Sequence, residues 1–319
     1  MSIAKFIARR VVLGAATLLI VSVLVFALTH ALGDPARAIL GRDAQIPEAL
    51  AAKRSELGLD RPALRQYFTW LGNMLGGDPG TSYTNDEPIL DLMSDRIRNS
   101  LILMSCAAVV SIPLSLLLGM WSAVRRDHIA ETSTSMVLLA LSAIPEFVLG
   151  TFLVVIFSVT VFRVLPAVSS VRGDTAPWDD LDGMVLPTMT LVLVAVPYLV
   201  RSIRATMIEV LESDYVQSSQ LLGLRPSTIV WRHALPNAVG STLQVIALGL
   251  AYMAGGVVVV EKVFNYPGLG SALVDAVAAH NVPVVQFITL VFAALYIACN
   301  TLADIGTVLV TPRLRTRLT

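Results

Sequence analysis

Apolar runs long enough to cross a bilayer recur along the chain, and charged or polar stretches separate them. The first, 11–31, holds 21 residues without Lys, Arg, Asp or Glu, about the length that a ~30 Å hydrocarbon layer needs at 1.5 Å per residue. Five more lie at 101–124, 136–162, 184–200, 238–260 and 282–303. The run at 184–200 has only 17 residues, about 26 Å of helix. It is workable because Arg201 and Arg204 reach outward to headgroups. Lys5, Arg9 and Arg10 precede the first run as they would in a signal peptide. The run is too long for a signal-peptide core, however, and no clear small-x-small cleavage signal follows, so it is predicted to be a retained span. Six spans place both termini on one side.

This pattern predicts an all-α polytopic membrane protein in three parts. They are an N-terminal transmembrane helix over 1–32, an external helical loop over 33–100, and a five-helix core over 101–319 with a hairpin at about 201–237. The loop is not featureless. Pro47 opens an amphipathic segment ending at Gly58. Asp60 is placed to cap a second helix with Pro62 in its first turn and Gly76-Gly77 after its end. Asp86 and Pro88 start a third that runs into the second span. Leu64, Tyr67, Phe68, Leu71 and Leu75 form one stripe at helical spacing. It is expected to pack on the protein's own core, with a partner-binding or membrane-surface role as the other readings.

Charge selects the orientation. Lys5, Arg9, Arg10, Arg125, Arg126, Arg201, Arg204, Arg225, Arg232, Arg313, Arg315 and Arg317 all fall on one side of a six-span model. The opposite loop at 163–183 carries two Arg against four Asp. The positive-inside rule then puts both termini and the hairpin in the cytoplasm. The Arg-rich stretch at 33–100 has 68 residues, beyond the ~60 over which that rule applies.

Composition narrows the class. With 55% hydrophobic and 14% charged residues and a mean hydropathy of +0.73, the chain is too apolar for a soluble domain and too charge-poor to bind nucleic acid. Cys106 and Cys299 both sit in apolar runs and read as small core residues, with neither a disulfide framework nor metal-ligand spacing. Asp275, His280 and Glu261 also lack metal spacing. No nucleophile–base arrangement stands out, and there is no Gly-x4-Gly-Lys-Ser/Thr loop, so ATP, if used, is hydrolysed by another chain.

The hairpin is the most informative stretch. It reads Asp214-Tyr215-Val216-Gln217-Ser218-Ser219-Gln220-Leu221-Leu222-Gly223, then nine intervening residues, then His233-Ala234-Leu235-Pro236. The first helix is predicted over about 204–222, with Leu211, Tyr215 and Leu222 on one face and small Ser218 between them. Gly223 is suited to a left-handed helix terminus, Pro226 to the first turn of the next helix, and Pro236 to the bend where the chain re-enters the membrane. Such an end, small-residued and apolar-striped, fits a groove on a partner; an ordinary helical loop is the plainer reading.

Within the spans, Glu146 after Pro145 is costly at that depth. Either it lines a path, or it pairs with Arg125 or Arg126 near the interface. Gly255-Gly256 allows close helix packing or a hinge. Tyr252 and Met253 lie where they could line a path. Glu261 with Lys262 is expected to shape an outer gate with the Pro267-Gly268-Leu269-Gly270 turn.

Several of these residues also carry a resemblance. They are Asp214-Tyr215-Val216, Gly223-Leu224, His233-Ala234-Leu235 with Asn237-Ala238, and 255–264 (Gly-Gly-Val-Val-Val-Val-Glu-Lys-Val-Phe) followed by Pro267-Gly268-Leu269-Gly270. Leu57-Gly58-Leu59-Asp60, Gln66-Tyr67, Gly77-Asp78-Pro79-Gly80, Asn300-Thr301-Leu302-Ala303-Asp304 and Pro312-Arg313 add to them. Together they resemble permease subunits of dipeptide/oligopeptide/nickel ABC importers, in the branch with the long first external loop. The departures are Gln217-Ser218-Ser219, where the family usually has Glu-Ala-Ala or Thr-Ala-Arg, and Leu221-Leu222 in place of Ala-Lys.

The resemblance implies a six-helix type I importer permease in the bacterial plasma (inner) membrane. Its partners would be a homologous second permease, two cytoplasmic ATPase subunits that hold ATP and Mg, and an external solute-binding protein. It implies an ATPase-coupling interface at Asp214, Tyr215, Gln217, Ser218, Ser219, Leu222 and Gly223. It also implies a translocation path or gate among Glu146, Tyr252, Met253, Gly255, Gly256 and Glu261. The expected cargo is short peptides, with nickel chelate, glutathione or haem as alternatives within the family. A stand-alone transporter or channel would need intramembrane acid–base chains or a selectivity ring, and only Glu146 is on hand. A membrane scaffold that docks a partner through the hairpin is the reading of a different class.

Overall fold

The computed structural model describes residues 3–31, 33–171 and 177–310. Its helices, in order, are α1 (Ile3–Ala31), α2 (Pro35–Leu40), α3 (Pro47–Glu56), α4 (Ala63–Leu75), α5 (Ile89–Val124), α6 (Ile129–Ser142), α7 (Glu146–Val154), α8 (Leu181–Leu211), α9 (Asp214–Leu221), α10 (Pro226–Thr228), α11 (Leu235–Val263), α12 (Leu269–Ala278) and α13 (Val282–Val310). Among the described residues no strand forms beyond an isolated bridge between Thr81 and Pro88. Helices leave no backbone group unpaired inside a bilayer, which is why apolar runs of this length adopt them. Arg313, Arg315 and Arg317 of the charge argument, with Pro312, lie outside the described residues, as does Arg172.

Among the described residues, five helices are long and apolar enough to cross a membrane: Lys5–Ala31, Ile89–Val124, Leu181–Leu211, Gly240–Val263 and Val282–Leu309. The run expected as one span over 136–162 is instead a broken pair. Helix α6 ends at Ser142, and α7, extended by a π-helical stretch Val155–Thr160, leaves it at 99°. Pro145 is the cause: it cannot donate an amide hydrogen bond, and it disfavours helical geometry at Ile144. Counted as one broken span, the pair makes six.

Helix α8 is the centre of the bundle. Leu186, Leu191, Leu199, Ile203 and Met207 on it are almost wholly buried, and α5, α6, α7 and α11 pack around it. Helix α13 lies between α11 and α1. Polar contacts fix these packings: Arg10 pairs with Asp304 at 2.9 Å across α1 and α13, and Gln286 donates to the Thr29 hydroxyl at 2.9 Å. On the hairpin side Arg204, expected to reach for headgroups, instead pairs at 2.9 Å with the buried Glu131 of α6. Cys106 is exposed on α5 and Cys299 half-buried on α13, both free, so neither is the buried core residue that was expected.

The stretch between the first two spanning helices is mostly helical. Helices α3 and α4 occur where Pro and Gly placed them. Asp60, however, does not cap α4, which starts after Pro62 without a side-chain cap. Helix α2 and the 3-10 turn Gly41–Gln45 were not foreseen. Asp34 caps α2 by accepting from the Ala36 amide at 3.1 Å, and Arg54 of α3 donates to the same carboxylate. The third segment and the second span are one continuous helix from Ile89, 36 residues long. The stripe on α4 does not pack inward as a whole: Tyr67 is buried, but Leu64, Phe68 and Leu75 are exposed.

Candidate functional site

The hairpin begins as a continuation of the central helix, because α8 runs on to Leu211. The single helix expected over 204–222 is broken at Glu212–Ser213. Ser213 is extended (φ −69°, ψ 149°), and its hydroxyl donates back to the Val210 carbonyl. A short polar residue that offers this local alternative ends helices readily. Helix α9 follows, with Asp214 in its first turn, where negative charge complements the helix dipole.

The faces of α9 differ from the expected stripe. Val216 and Ser219 point inward, and α9 packs on the π-helical turn Ile229–Ala234. Asp214, Tyr215, Gln217, Ser218, Leu221 and Leu222 face outward. Leu211 belongs to the preceding helix and shares no face with them. The Ser218 and Ser219 hydroxyls donate to the carbonyls of Asp214 and Tyr215 at 2.8 Å, and Gln217 donates to that of Glu212 at 2.9 Å. With these groups satisfied locally, the tip of the hairpin is apolar: Leu221 is 90% and Leu222 81% exposed. Gly223 turns the chain with φ +77°, and Pro226 opens α10. The return is made by the π turn with Pro236 in the first turn of α11. Arg126, in the loop after α5, pairs with Glu212 at the break.

At the other end of α11 sits a buried carboxyl cluster. Glu261 is fully buried and accepts hydrogen bonds from the Ser100 hydroxyl (2.5 Å) and the Gly270 and Ser271 amides (2.7 and 3.1 Å). Ser100 in turn accepts from the Leu269 amide at 2.8 Å. The amides belong to the first turn of α12, so Glu261 supplies from outside the cap that Gly268 cannot provide. Asn99 donates to the Pro267 carbonyl at 3.0 Å, and the Tyr266 hydroxyl donates to the Asn99 carbonyl at 3.0 Å. A methyl on Gly268 would coincide with the Glu261 carboxyl, and one on Gly270 would strike the Val258 backbone. The turn, α12 and α5 at Asn99–Ser100 are thereby one unit. Lys262 points away and pairs with Asp275 at 2.6 Å.

Of the remaining predicted residues, the structure brings Glu146 and Gly256 together. Glu146 opens α7 beside the Pro145 break, half-buried, and a methyl added to Gly256 would lie 3.3 Å from its carboxyl oxygen. Glu146 does not pair with Arg125 or Arg126: the first lies over the Trp121 ring, and the second pairs with Glu212 and Asp127. Met253 is buried in the core, away from any exposed surface. Tyr252 and Gly255 are exposed and share a face of α11 with Ser241, Gln244 and Leu248. The Tyr252 ring stacks near Tyr198 at 6.2 Å, and Gly255 faces open space. Among the described residues, no group of three or more His, Cys, Asp or Glu is placed to hold a metal.

Several participants were missed. The signal for Leu221 was present, as an apolar pair in a polar hairpin. Ser100 and Glu131 carry no local signal, because their partners lie 161 residues away in Glu261 and on α8 in Arg204.

Residues 112–316 match the family model of the binding-protein-dependent transport system inner membrane component. Residues 3–104 match the N-terminal model of the same systems' membrane component. A protein of Sinorhizobium fredii, named a probable peptide ABC transporter permease protein, is 33% identical over 313 residues, 97% of this chain and 99% of the relative. A glutathione transport system permease protein of Pectobacterium atrosepticum is 35% identical over 300 residues, 94% of this chain and 95% of the relative.

Proposed function

The chain belongs to the inner membrane components of binding-protein-dependent transport systems, and on that premise we propose that it is one half of an ATP-driven import path for short peptides, with glutathione as a related cargo. The observation that carries this reading is the hairpin. It projects from the central helix of the bundle and presents Leu221 and Leu222 largely uncovered among the described residues. The sequence has no phosphate-binding loop of its own, so the work is done by a partner seated on that tip. A pair of separate ATPase subunits closes on ATP and Mg and moves α9, and the break at Glu212–Ser213 passes the motion into α8.

A second, homologous permease faces the Ser241–Gln244–Leu248–Tyr252–Gly255 side of α11. That face is more polar than a lipid-facing one needs to be, as a shared path requires. Glu146 opens onto the path beside Gly256. An external solute-binding protein delivers the cargo on the side opposite the hairpin. The Lys and Arg distribution supports a reading with the hairpin and both termini in the cytoplasm of a bacterial cell and the spans in its plasma membrane.

The test is purification of the chain from its native membrane with ATPase activity measured on the eluate. Co-elution of a second permease and ATP-hydrolysing subunits is expected, and Gly223→Pro should abolish or uncouple it. The φ of +77° at this position is out of reach for proline, which is fixed near −65°. A lone chain with no associated ATPase in either preparation would overturn the proposal and favour a scaffold.

A further inference from the structure

Helix α4 carries three faces, not two. At 100° per residue Leu64, Phe68, Leu71 and Leu75 fall within an arc of about 60°. Next to them, on one flank, Tyr67, Met74 and Trp70 turn toward the protein. On the far side lie Arg65, Thr69 and Asn73. The structure agrees with this division. Tyr67 is buried, whereas Leu64 is 74%, Phe68 66% and Leu75 80% exposed. Thr69 and Asn73 border a cavity of about 590 Å³ between the loop helices and the start of α13. An amphipathic soluble helix needs only an inner and an outer face; a third, apolar and uncovered, calls for an occupant.

The depth of α4 identifies it. The Tyr67 hydroxyl is 2.9 Å from the Ser22 hydroxyl of α1, and the Tyr67 ring meets Phe26 edge-on at 5.4 Å. Ser22 lies nine residues before the end of α1 at Ala31, about 14 Å along the axis. The charge-free run of α1, 11–31, is just long enough to fill the hydrocarbon layer, so Ser22 is well inside it. Even allowing for the length of the tyrosine side chain, α4 cannot stand clear of the membrane. Near this depth α1 exposes Ile20, Leu24 and Leu28, and the α4 stripe adds to that apolar surface. Trp70, within 6 Å of Tyr67 and Phe26 by ring centroids, is a side chain suited to the headgroup level.

We propose that α4 lies in the plane of the membrane, in the leaflet opposite the hairpin, with Leu64, Phe68, Leu71 and Leu75 immersed among lipid acyl chains. Its polar face then forms the membrane-side wall of the 590 Å³ cavity, and Tyr67–Ser22 fixes its depth. An amphipathic helix of this kind buries its apolar face roughly 5–10 Å into the headgroup–acyl boundary. Immersion also explains why 13 residues with so much exposed apolar surface are compatible with a chain that must not aggregate.

The experiment uses the full chain with its co-purifying subunits in proteoliposomes, with Cys106→Ser and Cys299→Ser. Single cysteines are introduced by Leu64→Cys, Phe68→Cys, Leu75→Cys, Thr69→Cys and Asn73→Cys, and each is labelled with an environment-sensitive fluorophore. Lipids spin-labelled on the acyl chain should extinguish emission at 64, 68 and 75, and aqueous cobalt should extinguish it at 69 and 73. Cobalt quenching at 64, 68 and 75 would put the stripe in water and overturn the proposal. Protection of these sites from both quenchers would show a protein covering them, which overturns it equally. Should the label at Phe68 prevent assembly, Leu75 at the end of the helix gives the same reading.

Discussion

Removing the carboxyl of Glu261 is the sharpest test of how the turn after α11 is held. Glu261→Ala leaves the Ser100 hydroxyl and the Gly270 and Ser271 amides without their acceptor, in a place where Glu261 itself is 0% exposed. A buried donor left unsatisfied costs about 1–3 kcal/mol, so three give roughly 3–9 kcal/mol before relaxation. Water entering the vacated space would bring the loss toward the lower end. Even about 3 kcal/mol is a large part of the 5–15 kcal/mol that holds a typical domain. Glu261→Gln keeps the shape but turns one acceptor into a donor facing other donors, and should cost about one such group, ~1–3 kcal/mol. Ser100→Ala should fall in the same range, because that hydroxyl both donates to Glu261 and accepts from Leu269. The double variant should be clearly non-additive, since the two share one network. The assay is thermal denaturation of the purified complex in detergent, followed by loss of the monodisperse species, with protease accessibility of the 264–270 turn as a local reading. A Glu261→Ala complex as heat-stable and protease-resistant as the parent would refute the account of this cluster.

Gly268→Ala should prevent assembly, because the added methyl coincides with the Glu261 carboxyl, whereas Gly255→Ala should leave thermal stability unchanged, with open space around it; a loss of uptake in that stable variant would mark Gly255 as part of the path. Leu221→Ser with Leu222→Ser should release the ATPase subunits in a pull-down while leaving the isolated permease as stable as before. Burial of a leucine is worth about 1.5–3 kcal/mol, so each change should weaken the association roughly 10–100-fold, and unaltered co-purification would refute the docking role. Glu131→Ala should destabilise the complex more than Arg126→Ala in the same melt. Glu131 is buried against Arg204, while the Arg126–Glu212 pair is exposed, and exposed pairs contribute only about 0–1 kcal/mol.

Much of the architecture was legible because a bilayer reduces the problem to length and hydrophobicity. The spans over 11–31, 101–124, 184–200, 238–260 and 282–303 each sit inside a helix of the structure. Local stereochemistry was legible too: Gly223 with positive φ, Pro226 at a helix start and Pro47 at the head of α3 follow from the backbone preferences of single residues. The break at Glu212–Ser213 was not. Nothing in Glu-Ser forbids a continuous helix, and the interruption arises where α9 turns to pack Val216 and Ser219 on the π turn. The bend at Pro145 lies between these cases: the proline was visible, but its 99° consequence was not, because proline permits a range of kinks and the packing of α7 on α8 and α11 selects one.

The sequence by itself determined that this is a helical membrane chain, which side carries the positive charge, and where the hairpin turns. Each of these depends on properties that neighbouring residues share. Only the tertiary structure decided which polar groups meet. It put Glu261 on Ser100 and the α12 amides, Arg204 on Glu131 instead of headgroups, Glu146 against Gly256, and Leu221 and Leu222 in the open. It also left the α4 stripe facing away from the core. Hydrophobic periodicity says that a face is apolar, but whether protein or lipid covers it is set by the depth at which a neighbouring helix holds it, and that depth is fixed by a contact between residues 45 positions apart.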